Sequence, residues 1–289
     1  MSQKTGTGKY ERLLEHCKSL EAIPTVVAHP CEESALTGAV EAAQAGLIEP
    51  ILVGPAAKIE QVARFANLDL GKLEIVDAPH SVASANKAVE IVKEGRAEVV
   101  MKGSLHSDEL LSAIVARDGL RTGRRVSHVF VMDVPTYHKV LIITDAAINI
   151  APTLEDKVDI CQNAIDLVNS LRQDKTEKPK VAILAAVETV TTKMPATIDA
   201  AALCKMAERG QITGGILDGP LAFDNAISKQ AAETKGIKSS VAGDPDILLA
   251  PDLEAGNILA KQLTFLANAD SAGLVLGAKA PVILTSRAD

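Results

Sequence analysis

Gly214-Gly215-Ile216-Leu217-Asp218-Gly219-Pro220-Leu221-Ala222-Phe223-Asp224-Asn225-Ala226-Ile227-Ser228 is the stretch on which the reading of this chain turns. The apolar run Ile212 to Leu217 reads as a strand that ends in Asp218. Gly219-Pro220 reads as the turn after it, and Asp224-Asn225 as the cap of a helix over Asn225 to Lys235. This sets Asp218 and Asp224 at a strand's C-terminal edge, where open α/β sheets hold their ligands. Unpaired amides of such a turn orient a substrate or a basic side chain. The same residues also describe a strand, a turn and a capped helix without chemistry.

Outward from this stretch the pattern repeats. Upstream, strands at Thr25 to Ala28, Pro50 to Val53, Glu74 to Val76 and Val99 to Lys102 alternate with helices at Glu32 to Ala45, Ala56 to Ala66 and Ser81 to Glu94. A short amphipathic helix, Tyr10 to Leu20, precedes them. Strand-helix alternation favours a parallel sheet and an α/β fold. The rhythm breaks at Ser127 to Val134 and Tyr137 to Thr144, two β-rich runs joined by Pro135-Thr136. They read as an antiparallel pair and mark passage into a second domain. A helix begun by Thr153 or Asp156 runs to Leu171, and alternation resumes with strand Val181 to Ala185 and helix Ala196 to Glu208. Downstream of the opening stretch come strand Ile247 to Ala250, helix Leu253 to Leu266 and strands Gly273 to Leu276 and Val282 to Leu284. The last strand has no crossover helix after it, so it is expected to expose a sheet face or to need a partner.

Composition narrows the class. With 289 residues the chain holds one or two domains. Hydrophobic residues make up 47% and aromatic ones 2%, with no Trp, so the core is aliphatic and base stacking on nucleic acid is disfavoured. A net charge of −7 argues against a general polyanion-binding surface while allowing a local basic pocket. Cys17, Cys31, Cys161 and Cys204 are scattered, without disulfide or zinc spacing, and read as reduced thiols. No run is long enough for a membrane span and Met1 to Lys9 lacks a signal-peptide core, so a cytoplasmic protein is expected.

Two further clusters invite chemistry. Strand Val99 to Lys102 opens onto Gly103-Ser104-Leu105-His106-Ser107, with Ser107 read as the cap of a helix to Ala116. Lys102, Gly103 and Ser104 form a strand, glycine turn and helix start suited to phosphate, although Lys102 is equally an ordinary strand-end lysine and His106 a solvated loop residue. Arg121, Arg124 and Arg125 lie close together beside Gly119 and Gly123, either as a solvated loop or as a seat for a pyrophosphate or ribose phosphate. Asp145 and Asn149 follow the second β-rich run.

Met101-Lys102-Gly103-Ser104-Leu105-His106, Ile143-Thr144-Asp145-Ala146-Ala147-Ile148-Asn149, Asp218-Gly219-Pro220-Leu221-Ala222-Phe223-Asp224-Asn225-Ala226, Pro251-Asp252-Leu253-Glu254-Ala255-Gly256-Asn257 and Thr285-Ser286-Arg287-Ala288-Asp289, in this order, resemble the phosphate acetyltransferase and phosphate butyryltransferase family. The resemblance covers about Thr25 to Asp289. It implies two α/β/α domains of the isocitrate and isopropylmalate dehydrogenase type with a cleft between them. Domain one would be residues 1–128 plus 278–289 and domain two residues 129–277, the second carrying a homodimer or higher homo-oligomer interface.

The reaction implied is transfer of a short acyl group, acetyl or butyryl, between coenzyme A and inorganic phosphate. A ternary complex forms and the coenzyme A thiolate attacks the acyl phosphate, with no metal or redox cofactor. Such a thiol needs a base, the phosphate needs cationic donors and the carbonyl oxygen needs stabilisation. The resemblance implies that Arg287 holds phosphate and Ser286 bonds the thiol or carbonyl. Lys102, Gly103, Ser104, Asp145, Asn149, Asp218, Gly219 and Asp224 would bind substrate, and Arg121, Arg124 and Arg125 coenzyme A. In the acetyltransferase branch the base is an aspartate about two helical turns past the serine, beyond Asp289, so the chain is expected to be shorter than its relatives. Asp289 is the nearest carboxylate, as a substitute base or as a cap of its own turn. Two alternatives stand: a non-catalytic coenzyme A binding protein, and a metal- and NAD-dependent dehydrogenase drawing on Asp218, Asp224, Asp244 and Asp246.

Overall fold

The computed structural model describes residues 8–172, 174 and 176–284. Ser286, Arg287 and Asp289 lie outside the described residues. In chain order the first elements are α1 (Lys9–Cys17), β1 (Ile23–Ala28), α2 (Glu33–Gln44), β2 (Ile48–Gly54), α3 (Ala56–Phe65), β3 (Glu74–Asp77), α4 (Ser81–Lys93), β4 (Val99–Lys102) and α5 (Ser107–Val115). Then follow β5 (Ser127–Asp133), β6 (Leu141–Thr144), α6 (Leu154–Leu171), β7 (Lys180–Leu184), α7 (Pro195–Glu208), β8 (Ile216–Leu221), α8 (Phe223–Ile227), α9 (Lys229–Thr234), β9 (Ile247–Leu249), α10 (Leu253–Leu266), β10 (Asp270–Leu276) and β11 (Val282–Ile283). Among the described residues no helix is long and apolar enough to cross a membrane.

The chain divides into two compact units. One runs from Gly8 to Arg124 and takes the chain back from Gly273; the other spans Arg125–Ala272. The divisions therefore fall in the coil before β5 and inside β10.

In the first unit the strand order is β3-β2-β1-β4-β11-β10. β1 to β4 are mutually parallel and β11 joins β4 in parallel, Ile283 opposite Met101. β10 runs antiparallel to β11. The last strand is thus paired along both edges, with β10 as a partner that the strand-helix rhythm does not announce. Val26, Val27 and Ala28 are fully buried, and Val27, Leu36, Leu52, Ile59 and Met101 pack into one cluster beneath α2 and α3. Each such side chain contributes roughly 1.5–3 kcal/mol.

In the second unit the order is β5-β6-β9-β7-β8, with β5 and β6 antiparallel and the remainder parallel. Ile142 and Ile143 are both buried although they point to opposite sheet faces, as expected where helices cover both sides. Thr153 caps α6: its hydroxyl accepts from Asp156 N at 3.2 Å while the Asp156 carboxylate accepts from Thr153 N at 3.0 Å, a reciprocal capping box.

Several expectations change. β8 does not stop at Asp218: it begins at Ile216 and runs through Gly219-Pro220 to Leu221, with a cis bond before Pro220. β8 is last in the strand order and pairs only with β7, so a residue lacking N–H is tolerated, and the register slips between Ala182 and Leu184. The helix expected over Asn225 to Lys235 is two, because Ser228 leaves helical geometry and its hydroxyl caps α9 through Ala231 N. Ser107 is the first residue of α5 and not its cap; His106 holds that position and donates its amide to Glu109 at 3.0 Å. The link between β5 and β6 is longer than Pro135-Thr136. It includes buried Tyr137, whose hydroxyl donates to Pro245 O at 2.6 Å.

Candidate active site

In the first unit the tips of β1 and β4 meet on their main chains. Gly103 N donates to Ala28 O and Ser104 N to His29 O, each at 2.9 Å. The Ser104 hydroxyl donates to His29 O at 2.8 Å and accepts from Cys31 N at 3.1 Å. A Cβ on Gly103 would lie 2.4 Å from Ala28 O, so only glycine permits this approach. The amides of Gly103 and Ser104 therefore close the turn, and beside them Lys102, 5% exposed, donates from its ammonium to Gly103 O at 3.4 Å. Since β11 is parallel to β4 and ends opposite Met101, the chain leaves the sheet at the edge that Lys102 occupies.

Thr122, between Arg121 and Arg124, donates its hydroxyl to Gly277 O at 2.5 Å and accepts from Arg124 N at 3.1 Å. Arg121 forms a backbone bridge to Ala278. Both are fixed on the returning chain. Arg125 belongs to the other unit and is engaged differently: its Nε donates to Asn149 Oδ1 at 2.7 Å, its amide to Asp159 at 2.7 Å, and its guanidinium lies 3.5 Å from Asp156.

Asp145 and Asn149 are each 3% exposed. The Asp145 carboxylate accepts from Ala147 N at 2.9 Å, Ile148 N at 3.0 Å, His128 N at 3.1 Å and Asn149 Nδ2 at 2.5 Å. Asn149 also donates to Val126 O at 3.0 Å. Asp145 thus organises its own turn and reaches outward through Asn149 to Arg125. Gly256 completes the turn from α10, where a Cβ would stand 2.3 Å from Asp145 O.

Asp218 lies within β8 opposite Ala182, and its carboxylate accepts from Gly219 N at 2.9 Å. Asp224 sits in the first turn of α8, 3.3 Å from Lys235. Lys235 lies 3.3 Å from Glu188 as well, and Glu188 accepts from Asn225 at 3.2 Å. The sequence reading passed over Lys235, because a lone lysine late in a short helix carries no signal of a carboxylate pair. Asp244 and Asp246 do not join Asp218 and Asp224. They precede β9, where Asp244 pairs with Lys180 at 2.5 Å and Lys139 at 2.9 Å, and Asp246 with Arg172 at 2.6 Å. Burial opposes ionisation of Asp244, but hydrogen bonds from Lys180, Lys139 and His138 outweigh it and hold the carboxyl well below its usual range. Among the described residues no group of three or more His, Cys, Asp or Glu is placed to hold a metal ion.

Residues 80–289 match the family described as phosphate acetyl/butaryl transferase. The chain is 63% identical over 282 residues to a phosphate acetyltransferase of Rhizobium meliloti, covering 97% of this chain and 88% of that protein. It is 40% identical over 281 residues to a phosphate butyryltransferase of Clostridium acetobutylicum, covering 97% and 92%. The crystal structure of a branched-chain phosphotransacylase from Enterococcus faecalis V583 superposes with a TM-score of 0.76 at 28% identity, covering 92% of this chain and 93% of that one. With the family matched over most of its length and relatives this similar, the chain belongs to the phosphate acetyl/butyryl transferase family of acyltransferases.

Proposed function

We propose that this chain transfers an acetyl group reversibly between coenzyme A and inorganic phosphate, through a ternary complex in which the thiolate attacks acetyl phosphate. The kinship carries this reading, and the greater likeness to an acetyltransferase than to a butyryltransferase favours the smaller acyl group. Arg287 grips the phosphate with paired N–H donors and neutralises it as it leaves, while Ser286 bonds the reacting thiol or carbonyl. Support for these roles comes from β11, which leads toward them and ends beside β4 and Lys102. Lys102 supplies further positive charge, with Gly103 and Ser104 setting its position. Arg121 and Arg124 receive the coenzyme A phosphates. Arg125, held by Asn149 and Asp145 but with a side chain 54% exposed, joins them.

Asp218, Gly219 and Asp224 bind substrate in the same proposal. The dehydrogenase-type fold, a site without a cofactor, a cytoplasmic location and a homodimer also belong to it; the first of these is supported by the return of the chain into its first unit.

The test is an acyl panel. Acetyl-CoA, propionyl-CoA and butyryl-CoA are assayed with phosphate for free thiol. Acetyl-CoA is expected to give the highest kcat/KM, by about tenfold or more over butyryl-CoA. A preference for butyryl-CoA contradicts the acyl assignment, and no phosphate-dependent thiol from any of them contradicts the reaction.

A further inference from the structure

α10 carries apolar side chains on both of its faces. Toward the core of the second unit it turns buried Gly256 and Ala260, with Leu259 and Leu263 packed on the cluster around Leu141, Ile143 and Leu248. On the opposite face Glu254, Ile258, Lys261 and Phe265, spaced by four, three and four residues, form one stripe with Leu266 at its border. The outer face of a helix on a monomer is ordinarily polar, yet Ile258 is 65%, Phe265 72% and Leu266 78% exposed. No other described helix leaves more than one large apolar side chain exposed. Ile150, 74% exposed, stands beside the start of the helix, its carbonyl accepting from Leu253 N at 3.1 Å.

The charges of the stripe say what can cover it. Glu254, in the first turn, and Lys261 make no ion pair among the described residues. At seven residues apart, about 10 Å along the axis, they do not reach each other within one helix. A second α10 laid parallel would set Glu254 against Glu254 and Lys261 against Lys261. Laid antiparallel, it sets each Glu254 against a Lys261, with the two-fold axis midway between them, beside Ile258. The stripe is thus complementary to its own copy in one orientation.

We propose that α10 is the centre of an isologous interface with a second copy of this chain, the two helices antiparallel. Glu254 of each copy faces Lys261 of the other, Ile258 meets its counterpart near the axis, and Phe265 reaches the start of the other copy's helix, where Ile150 stands. Apolar contacts at the centre with polar pairs around them are the usual anatomy of a specific interface. The surface deepens the homodimer of the proposed function by naming where it forms, and it rests on no step of the acyl transfer.

The test is the dissociation constant of self-association, measured by sedimentation equilibrium, for the wild-type chain, Glu254→Lys, Lys261→Glu, the double variant of both, and Ile258→Asp. The three positions are exposed, and circular dichroism checks that each variant keeps its fold. A wild-type dimer is expected. Each single reversal should weaken it about tenfold, because two attractions become two repulsions, and the double variant should return to within about threefold of wild type. That return separates pairing across the interface from an effect on the helix alone, since the double variant still carries lysine in the first turn. Ile258→Asp should weaken the dimer about 100-fold or more. A dimer as tight in Ile258→Asp as in wild type, or a double variant no tighter than the single reversals, overturns this surface alone. A monomeric wild-type chain overturns the homodimer reading with it.

Discussion

At the end of β6 the Asp145 carboxylate takes four hydrogen bonds from its own neighbourhood, whereas at the end of β1 His29 gives one and keeps its second ring nitrogen unengaged among the described residues. Both follow buried strands, but only the Asp145 segment looks functional in the sequence. The Asp145 turn spends its polar groups on holding a shape, with Arg125 as its outward product. The His29 tip spends main-chain groups on shape and leaves one ring nitrogen without a hydrogen bond among the described residues. A polar residue at a strand end is thus placed by its unmet hydrogen-bonding capacity more than by its position.

The comparison breaks if Asp145 proves dispensable. Asp145→Ala would leave three amides, that of buried His128 among them, and the Asn149 side chain without their acceptor. A loss of about 4 kcal/mol in urea unfolding is expected, with coenzyme A affinity falling only through the loosened Arg125. A fully stable variant would show that the turn is not held as described.

His128 sharpens the same side. It is 2% exposed, and Nδ1 has no hydrogen-bond partner among the described residues. Burial lowers its pKa to about 4 from 6.5, against the opposing pull of Asp145. The neutral ring is the form that suits the fold, so its contribution is full above pH 6.5 and is lost as pH falls from 6.5 through about 4. The loss amounts to about 3 kcal/mol when complete. His128→Phe should flatten the stability profile across that window, measured by denaturant unfolding at each pH; an unchanged slope would contradict it.

Much of the architecture was legible. β4 and α10 match the residues read from the apolar pattern, and the Thr153 and Asp156 signals proved to be two halves of one capping box. The reading failed where local cues conflict with non-local pairing. Gly219-Pro220 has turn chemistry, yet at the sheet edge it continues a strand. The β10 partner of β11 lies in no local pattern.

For the site, motifs located Lys102, Gly103 and Ser104, but the sequence does not tell that the Gly103 and Ser104 amides are already spent on β1. The His29 conformation has no signal in the sequence: a histidine before a proline gives no warning of a left-handed backbone or of a chosen tautomer.

The most direct measurement is release of free thiol from acetyl-CoA as phosphate is varied, for the wild-type chain and for Arg287→Ala. The account predicts wild-type turnover that saturates with phosphate and a fall of about 1000-fold in kcat/KM for phosphate in the variant, with unchanged circular dichroism. Thiol release independent of phosphate, or an Arg287→Ala chain that works at the full rate, would contradict it.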